Sequence, residues 1–514
     1  MAEQRIRKVV IAGGGTAGWL AAAALSRQLD QLLDITLVES EEIGTIGVGE
    51  ATIPTMRAFH TILGLDEREF MRATQATFKL GISFENWARD GDRYIHSFGD
   101  IGKSTWMGDF HHFWLAAKAD GDTSEIGDYC LELQAAKAER FALPSEGQIN
   151  YAYHLDAGLY ARFLRTRSEA NGLKRIEGRI ANVDRDGETG FIRALVLESG
   201  ERVEGDLFID CTGFRGLLIE GTYAAGYEDW SHWLPTNSAL AVQTAATGPA
   251  HPYTRAIAHD AGWRWRIPLQ HRVGNGLVYA SEHLSDDEAH ARLLAAIDGA
   301  PLIEPRLIRF RTGRRRQVWM GNCVALSLAS GFVEPLESTS IHLIMTGITR
   351  LMQTFPFGGI APALVRRYND QAQAELERVR DFIILHYHLN ERPEPFWAAR
   401  RDMPIPDTLV ERIALFTEGA QAYQGGDDLF RVASWVQVML GQRLTPRDHH
   451  RLGSIMGGPQ LAGVLTNIRS TIADAVAGMP THQQFLDRYL AAPITASHGM
   501  HHRVERHDDA SGKR

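Results

Sequence analysis

The run Gly13-Gly14-Gly15-Thr16-Ala17-Gly18 restricts the fold of this chain more than any other feature of its sequence. Residues 7–12 before it read as a short buried strand. Residues 19–29 after it read as a helix, and residues 35–39 as a second strand. A strand, a glycine turn, a helix and a strand form a βαβ unit. The glycines permit the tight turn and let backbone amides approach a diphosphate at the helix N-terminus. Glu39 closes the second strand, where a carboxylate accepts from ribose hydroxyls; an acidic residue there suits an adenosine ribose without a 2′-phosphate. Gly13, Gly15, Thr16, Ala17, Gly18 and Glu39 are therefore the expected dinucleotide contacts, with FAD and NAD both compatible at this point.

The rest of the composition narrows the class. The chain has 514 residues, 44% hydrophobic and 23% charged, with a formal charge of −9, an ordinary globular balance for two or three domains or one elaborated α/β body. Net acidity without a sustained basic block argues against nucleic acid as the main partner. No apolar run reaches the ~18 residues of a membrane span, and the amino end carries no leader with a cleavage site. Cys130, Cys211 and Cys323 are odd in number and far apart, which excludes a disulfide framework and fits a reducing cytosol. The pairs His111-His112, His449-His450 and His501-His502 lack carboxylate or cysteine partners at helical spacing, so no metal site is expected.

Further along, residues 66–74 read as a short charged helix. Residues 77–86 read as one half-buried strand, with Phe78, Leu80, Ile82 and Phe84 inward and Lys79, Gly81, Ser83 and Glu85 on the other face. Residues 179–184 and 191–197 form a meander. Residues 206–210 then return to the first sheet and end at Cys211-Thr212-Gly213. Residues 318–328 are expected as a strand, 340–355 as a helix with apolar Ile341, Ile344, Ile348 and Leu351, and 364–489 as mainly helical. The histidine-rich residues from about 498 are expected to be disordered.

Directly before the 340–355 helix stands Ser330-Gly331-Phe332-Val333-Glu334-Pro335-Leu336-Glu337-Ser338-Thr339-Ser340. Pro335 forbids helix just upstream, and Ser338 and Thr339 are good N-cap types. The amides of residues 339–341 at a positive helix end make an anion site, for a halide, a flavin carbonyl or both. Glu337 beside them reads as a base or an electrostatic partner for a cation.

With these elements in hand, the chain resembles the flavin-dependent tryptophan halogenase family, closely to about residue 355 and more loosely to about 490. Four elements carry the resemblance: the glycine turn; Phe78-Lys79-Leu80-Gly81; Gly262-Trp263-Arg264-Trp265-Arg266-Ile267-Pro268; and the run from Gly331 to Ser340. The resemblance implies an α/β, flavin-monooxygenase-like FAD-binding fold with an inserted sheet, plus a mainly helical C-terminal substrate region. The boundaries it suggests are residues 1–355 for FAD binding and halide activation, with a substrate-facing insert at about 230–300, then 356–497 for the substrate pocket and 498–514 as tail.

It also implies a mechanism. FADH2 captures O2 as a C4a-hydroperoxide, chloride or bromide attacks its distal oxygen, and hypohalous acid travels through an internal tunnel to Lys79. There it is hydrogen-bonded or held as a haloamine before an electron-rich ring takes the halogen. Lys79, Glu337 and Ser338 match the family's catalytic lysine, glutamate and linking serine. Gly47, Val48, Gly49 and Glu50 match its flavin strap, and Ile180, Leu328 and Ile341 further flavin contacts. The Thr339 and Ser340 amides match its halide site. His96 and Phe98 match a substrate-lining pair, and Trp263 and Trp265 a wall between flavin and substrate. Most members carry Gly where this chain has Ser340, a change that keeps the amide but bears on halide size. The Tyr-rich segment that clamps an amino acid is not recognisable; residues 418–426 and 430–441, with Trp435, read as shorter and glycine-rich. Indole or an indole-bearing compound is thus expected rather than free tryptophan. With one glycine fingerprint, FADH2 is expected from a separate NADH-dependent flavin reductase; monomer and homodimer both stay open. A flavin aromatic hydroxylase and a non-catalytic flavin-binding redox module are the competing readings.

Overall fold

The computed structural model describes residues 5–29, 31–42, 49–106, 108–143, 149–426 and 428–493. Gly47 and Val48 of the expected strap, and the tail from 498, lie outside the described residues.

A six-stranded sheet carries the glycine turn. Its order is Trp319–Met320, Cys323–Ala325, Leu207–Asp210, Lys8–Ala12, Asp34–Glu39 and Lys174–Glu177. All neighbours are parallel except the edge hairpin. The helix Thr16–Leu29 packs its alanine-rich face on this sheet, with Trp19, Leu20, Ala21, Ala22, Ala24 and Leu25 all buried. It begins at Thr16, inside the glycine run and earlier than expected; Gly18 in its first turn packs on the turn itself, where a Cβ would stand 1.8 Å from the Gly13 carbonyl oxygen. The expected strand at 318–328 is instead a hairpin and a short 3-10 turn. Gly321 turns at φ 53° and Ser327 at φ 60°, values that a continuous strand cannot adopt. The meander lies outside this sheet as Ile180–Arg185, Ile192–Leu197 and Arg202–Glu204.

A seven-stranded sheet forms the second layer: Arg306–Arg309, Ser238–Ala245, Arg272–Tyr279, Gly262–Pro268, Thr254–His259, Gly81–Glu85 and Arg93–Ser97. The strand expected over 77–86 splits. Thr77–Lys79 pairs with Ala152–Asp156, which also pairs with Gly49–Ala51 in a small three-stranded sheet, whereas Gly81–Glu85 belongs to the large one. Leu80 is the handover: its amide donates to the Pro252 carbonyl (2.7 Å) and its own carbonyl accepts from Phe98 (2.9 Å). The alternation that put Lys79 on one face with Ser83 and Glu85 therefore breaks, and Lys79 goes into the body of the protein instead.

Helices cover both layers. Ser340–Gln353 packs on the first core, while Pro362–His388, Pro395–Asp402, Asp407–Gly419 and Val432–Gly441 close the second, beneath the large sheet. The helix His482–Ala491 returns to the amino-terminal half. There Tyr151 (2.7 Å), Tyr153 and Tyr489 all donate their hydroxyls to Glu67. Among the described residues no helix is long and apolar enough to cross a membrane.

Candidate active site

On its sheet side the glycine turn admits no side chain: Gly13 has φ 106°, with a Cβ position 2.4 Å from the Cys211 carbonyl oxygen, and a Cβ on Gly14 would run into the Glu39 carboxylate. Above Gly15 the space is open, with nothing within 4 Å of a Cβ position. Glu39 is held over the turn by Arg175 Nε (2.6 Å) and Trp19 Nε1 (3.2 Å). A turn shut on one side and open on the other, under a fixed carboxylate, fits a dinucleotide diphosphate and ribose. Thr16, Ala17 and Gly18 open the helix at this point. Gly49 and Glu50 pair with Asp156 and Leu155. Ile180 begins the first meander strand, Leu328 lies in the 3-10 turn after the hairpin, and Ile341 is buried in the first turn of Ser340–Gln353.

The second constellation is a buried polar chamber. Lys79 has no exposed surface; its Nζ donates to Ser338 Oγ (2.8 Å) and to the Thr52 carbonyl (3.0 Å), and stands 5.0 Å from the centre of the Phe98 ring. Thr52 directly follows Gly49–Ala51, so one ammonium spans the strap side and the Gly331–Ser340 loop. Burial drives the Lys79 pKa down to about 7, against the pull of the Glu337 charge. Near neutral pH the side chain is therefore available both as ammonium and as amine. Ser338 reaches it from a left-handed backbone conformation, φ 60°, which is costly for a residue with a Cβ and is held by the surrounding loop.

Glu337 is 1% exposed and faces two histidines. His96 Nδ1 donates to it at 2.8 Å (Oε2) and 3.0 Å (Oε1). His386 Nε2 lies 2.9 Å from Oε1, off the line of a ring N–H bond, while its Nδ1 donates to the Phe382 carbonyl at 2.8 Å. Burial alone would raise the Glu337 pKa, but the two imidazoles outweigh it and hold the carboxyl down at about 2. It is an anion throughout the neutral range. His96 stays in place because Ser97 next to it donates from its amide (3.0 Å) and its hydroxyl (2.9 Å) to Gln437 on Val432–Gly441.

Thr339 caps the helix Ser340–Gln353 by position only: its side chain makes no cap hydrogen bond, and among the described residues its Oγ1 is buried without a partner. The expected side-chain cap is thus absent, although Thr339 and Ile341 on either side of Ser340 are buried. The structure gathers Lys79, Ser338, Glu337 and His96 into this chamber, with Phe98 beside Lys79. Trp263 and Trp265 touch neither Lys79 nor His96 by a ring contact; Trp263 lies 6.3 Å from Trp87, which joins it through His386 (6.0 Å) to the rings around His96. The rings against His96 are Phe382 (5.6 Å) and Phe430 (6.3 Å). Those two stack on each other at 3.7 Å, and Trp435 meets Phe382 edge-on at 4.8 Å.

His386 and Phe382 are not singled out in the sequence, and Phe430 and Gln437 enter its reading only as part of the 430–441 segment. They lie far along the chain from Lys79, on helical turns and a loop that read as ordinary core. One signal was available: His386 interrupts Phe382-Ile383-Ile384-Leu385 in a stretch buried all round, where a lone imidazole needs a partner. The His111, His112 and His450 rings lie together, but their nitrogens serve backbone groups. Among the described residues no group of three or more His, Cys, Asp or Glu could hold a metal ion.

Comparison with known proteins agrees with this architecture. The tryptophan halogenase family model matches residues 8–457. The chain is 38% identical over 440 residues to tryptophan 7-halogenase RebH of Lentzea aerocolonigenes, covering 81% of this chain and 82% of that protein. Among solved structures, Xcc4156, a flavin-dependent halogenase from Xanthomonas campestris, is 55% identical with a TM-score of 0.93 over 95% of this chain and 99% of that one. BrvH, a flavin-dependent halogenase from Brevundimonas sp. BAL3, is 49% identical with a TM-score of 0.91 over 94% and 99%.

Proposed function

The chain belongs to the tryptophan halogenase family and is a flavin-dependent halogenase; on that premise we propose that it uses FADH2 and O2 to place chloride or bromide on indole or an indole-bearing aromatic. The observation that carries the site assignment is the buried Lys79 ammonium shared by Ser338 and the strap-side carbonyl of Thr52, with Glu337 ionised beside it.

In this reading the amides of Gly13, Gly15, Thr16, Ala17 and Gly18 take the diphosphate of FAD, and Glu39 its ribose hydroxyls. Gly49, Glu50, Ile180, Leu328 and Ile341 are assigned to the flavin, together with Gly47 and Val48. FAD, bound and reduced, supplies the oxygen activation that turns halide into an electrophilic hypohalous species. The Thr339 and Ser340 amides hold the halide at the positive end of their helix. Lys79 Nζ receives the oxidised halogen, and the ammonium or amine form held near neutrality directs it at the ring. Glu337 stabilises the cationic ring that halogen addition creates and accepts its proton. Because the sequence carries one glycine fingerprint, a separate NADH-dependent flavin reductase delivers FADH2.

The ring cluster supports the substrate class: Phe382, Phe430 and Trp435 pack face to face and edge to face beside His96, an aromatic surrounding suited to a planar ring. Arg412, which abuts them, is bound to Asp428 and to the Tyr423 carbonyl (2.8 Å) and stacks 4.3 Å over Trp435, so its guanidinium is already committed and not free to clasp a carboxylate. Free indole is therefore halogenated at least as efficiently as free tryptophan, at C3, the ring's most reactive carbon. Competition between the two in one reaction, read by mass spectrometry and NMR, tests this. A clear preference for tryptophan, or strict attack on the benzo ring while C3 is open, contradicts it.

A further inference from the structure

Glu334 lies one 3-10 turn before Glu337, is wholly buried, and has no place in the reaction just described. Its Oε2 accepts from Trp263 Nε1 (2.8 Å) and from the Tyr387 hydroxyl (2.6 Å). Tyr387 follows His386 directly in sequence. Two carboxylates of one turn thus meet two consecutive side chains of Pro362–His388: Glu334 meets Tyr387, and Glu337 meets His386. Trp87 fills the space between, 5.3 Å from Tyr387, 6.0 Å from His386 and 6.3 Å from Trp263. The Thr236 hydroxyl also faces Glu334, but no aligned hydrogen bond joins it to Oε1; the two bonds to Oε2 are the ones that tie the loop to the large sheet, through Trp263, and to Pro362–His388, through Tyr387.

A buried carboxyl with two neutral donors and no cation is an expensive way to fill space, and a leucine would pack there more cheaply. The loop it anchors explains its presence. Between Pro335 and Thr339 the backbone must hold Ser338 in the left-handed region with its hydroxyl 2.8 Å from Lys79, and no regular ladder supports that turn. We propose that Glu334 is a positioning residue whose simultaneous grip on Trp263 and Tyr387 fixes the Pro335–Thr339 turn, keeping Ser338 on Lys79 and Glu337 between its histidines. Resting on the halogenase reading, this adds that oxidised halogen reaches the aromatic rather than the solvent only while that grip holds.

The test uses the full chain with FAD and a flavin reductase, in the variants Glu334→Leu and Glu334→Gln. Glutamine keeps an acceptor for both donors; leucine keeps volume only. For Glu334→Leu, kcat falls about tenfold to a hundredfold with KM for the aromatic little changed, as expected when a reacting group is misplaced by about 1 Å. A halogen-accepting β-diketone in solution gains the missing halogen. Glu334→Gln stays near wild type. Hydrogen exchange followed on peptides spanning 331–340 gives a readout that needs no catalysis: the segment exchanges faster in Glu334→Leu and unchanged in Glu334→Gln. Should Glu334→Leu fail to fold, Trp263→Phe removes the indole N–H while keeping an aromatic ring, and the same loosening and leakage are expected from it. Unaltered exchange and unaltered partition of halogen in Glu334→Leu, or in Trp263→Phe where that variant stands in, overturn the proposal. So does a Glu334→Gln enzyme as leaky as Glu334→Leu. A wild-type chain that halogenates nothing overturns the site reading instead, and the exchange experiment still decides the role of Glu334 in the turn.

Discussion

Lys79→Ala abolishes halogenation, a fall of at least about 10²–10³ in kcat for losing a preorganised group at the reacting atom, while FAD binding and flavin reoxidation stay near wild type. The geometry explains the split. Lys79 pairs through its backbone in the small sheet of Thr77–Lys79, Ala152–Asp156 and Gly49–Ala51, a pairing that alanine keeps along with Gly49 and Glu50, and the diphosphate cradle belongs to the separate six-stranded sheet. Removing the side chain leaves Ser338 Oγ and the Thr52 carbonyl without their donor, yet it also removes a buried charge whose pKa has fallen to about 7. A lysine with a folded pKa below its unfolded value destabilises the native state most at low pH; the cost fades as pH rises from about 7 towards 10.5. The variant therefore need not melt lower, and its flavin chemistry is measurable in the same cuvette as its lost halogenation. Stopped-flow absorbance of flavin reoxidation beside product analysis checks both halves. Product at near wild-type rate removes Lys79 from the mechanism.

Glu337→Gln loses about 10²–10³ in kcat, within the range for removing a general base, with little effect on KM for the aromatic. The carboxylate is an anion at every pH above about 2 because His96 and His386 flank it, so the wild-type profile shows no loss of activity from its protonation in the working range. The amide keeps the shape and can still accept from His96, but it carries no charge to offset a cationic ring and takes no proton from it. Unchanged kcat in Glu337→Gln would confine the residue to packing. The variant also separates Glu337 from Glu334. The Gln substitution is costly at 337, where charge is used, and mild at 334, where only acceptor geometry is used.

How far this could be read without coordinates differs from element to element. The glycine turn, its helix and Glu39 were legible because local chemistry dictates them: a tight turn against a sheet tolerates no Cβ, and the chain records that directly. The return strand Leu207–Asp210 beside Lys8–Ala12 was legible from a short apolar run ending at Cys211-Thr212-Gly213 after the meander. The 77–86 segment misled, since its alternation runs unbroken through Leu80; the switch between sheets depends on Pro252 and Phe98, to which the local pattern is blind. Lys79, Glu337 and Ser338 emerged from a dense motif and a family resemblance. The partners that set their electrostatics and position, His386, Gln437 and Tyr387, sit on helices whose faces are apolar for ordinary core reasons, so only tertiary packing reveals them. Trp263 was legible as a motif residue, but its tie to Glu334 was not, because Glu334 reads in sequence as one more acidic residue beside a proline.

The most direct test of halogenation is the mass of the product formed from indole by the purified chain with FAD, a flavin reductase, O2 and bromide or chloride. The expected product is heavier by one halogen less one hydrogen, with the halogen's isotope pattern, and no such product forms with Lys79→Ala. A mass gain of one oxygen, or bound flavin that reoxidises with no organic product, would contradict halogenation.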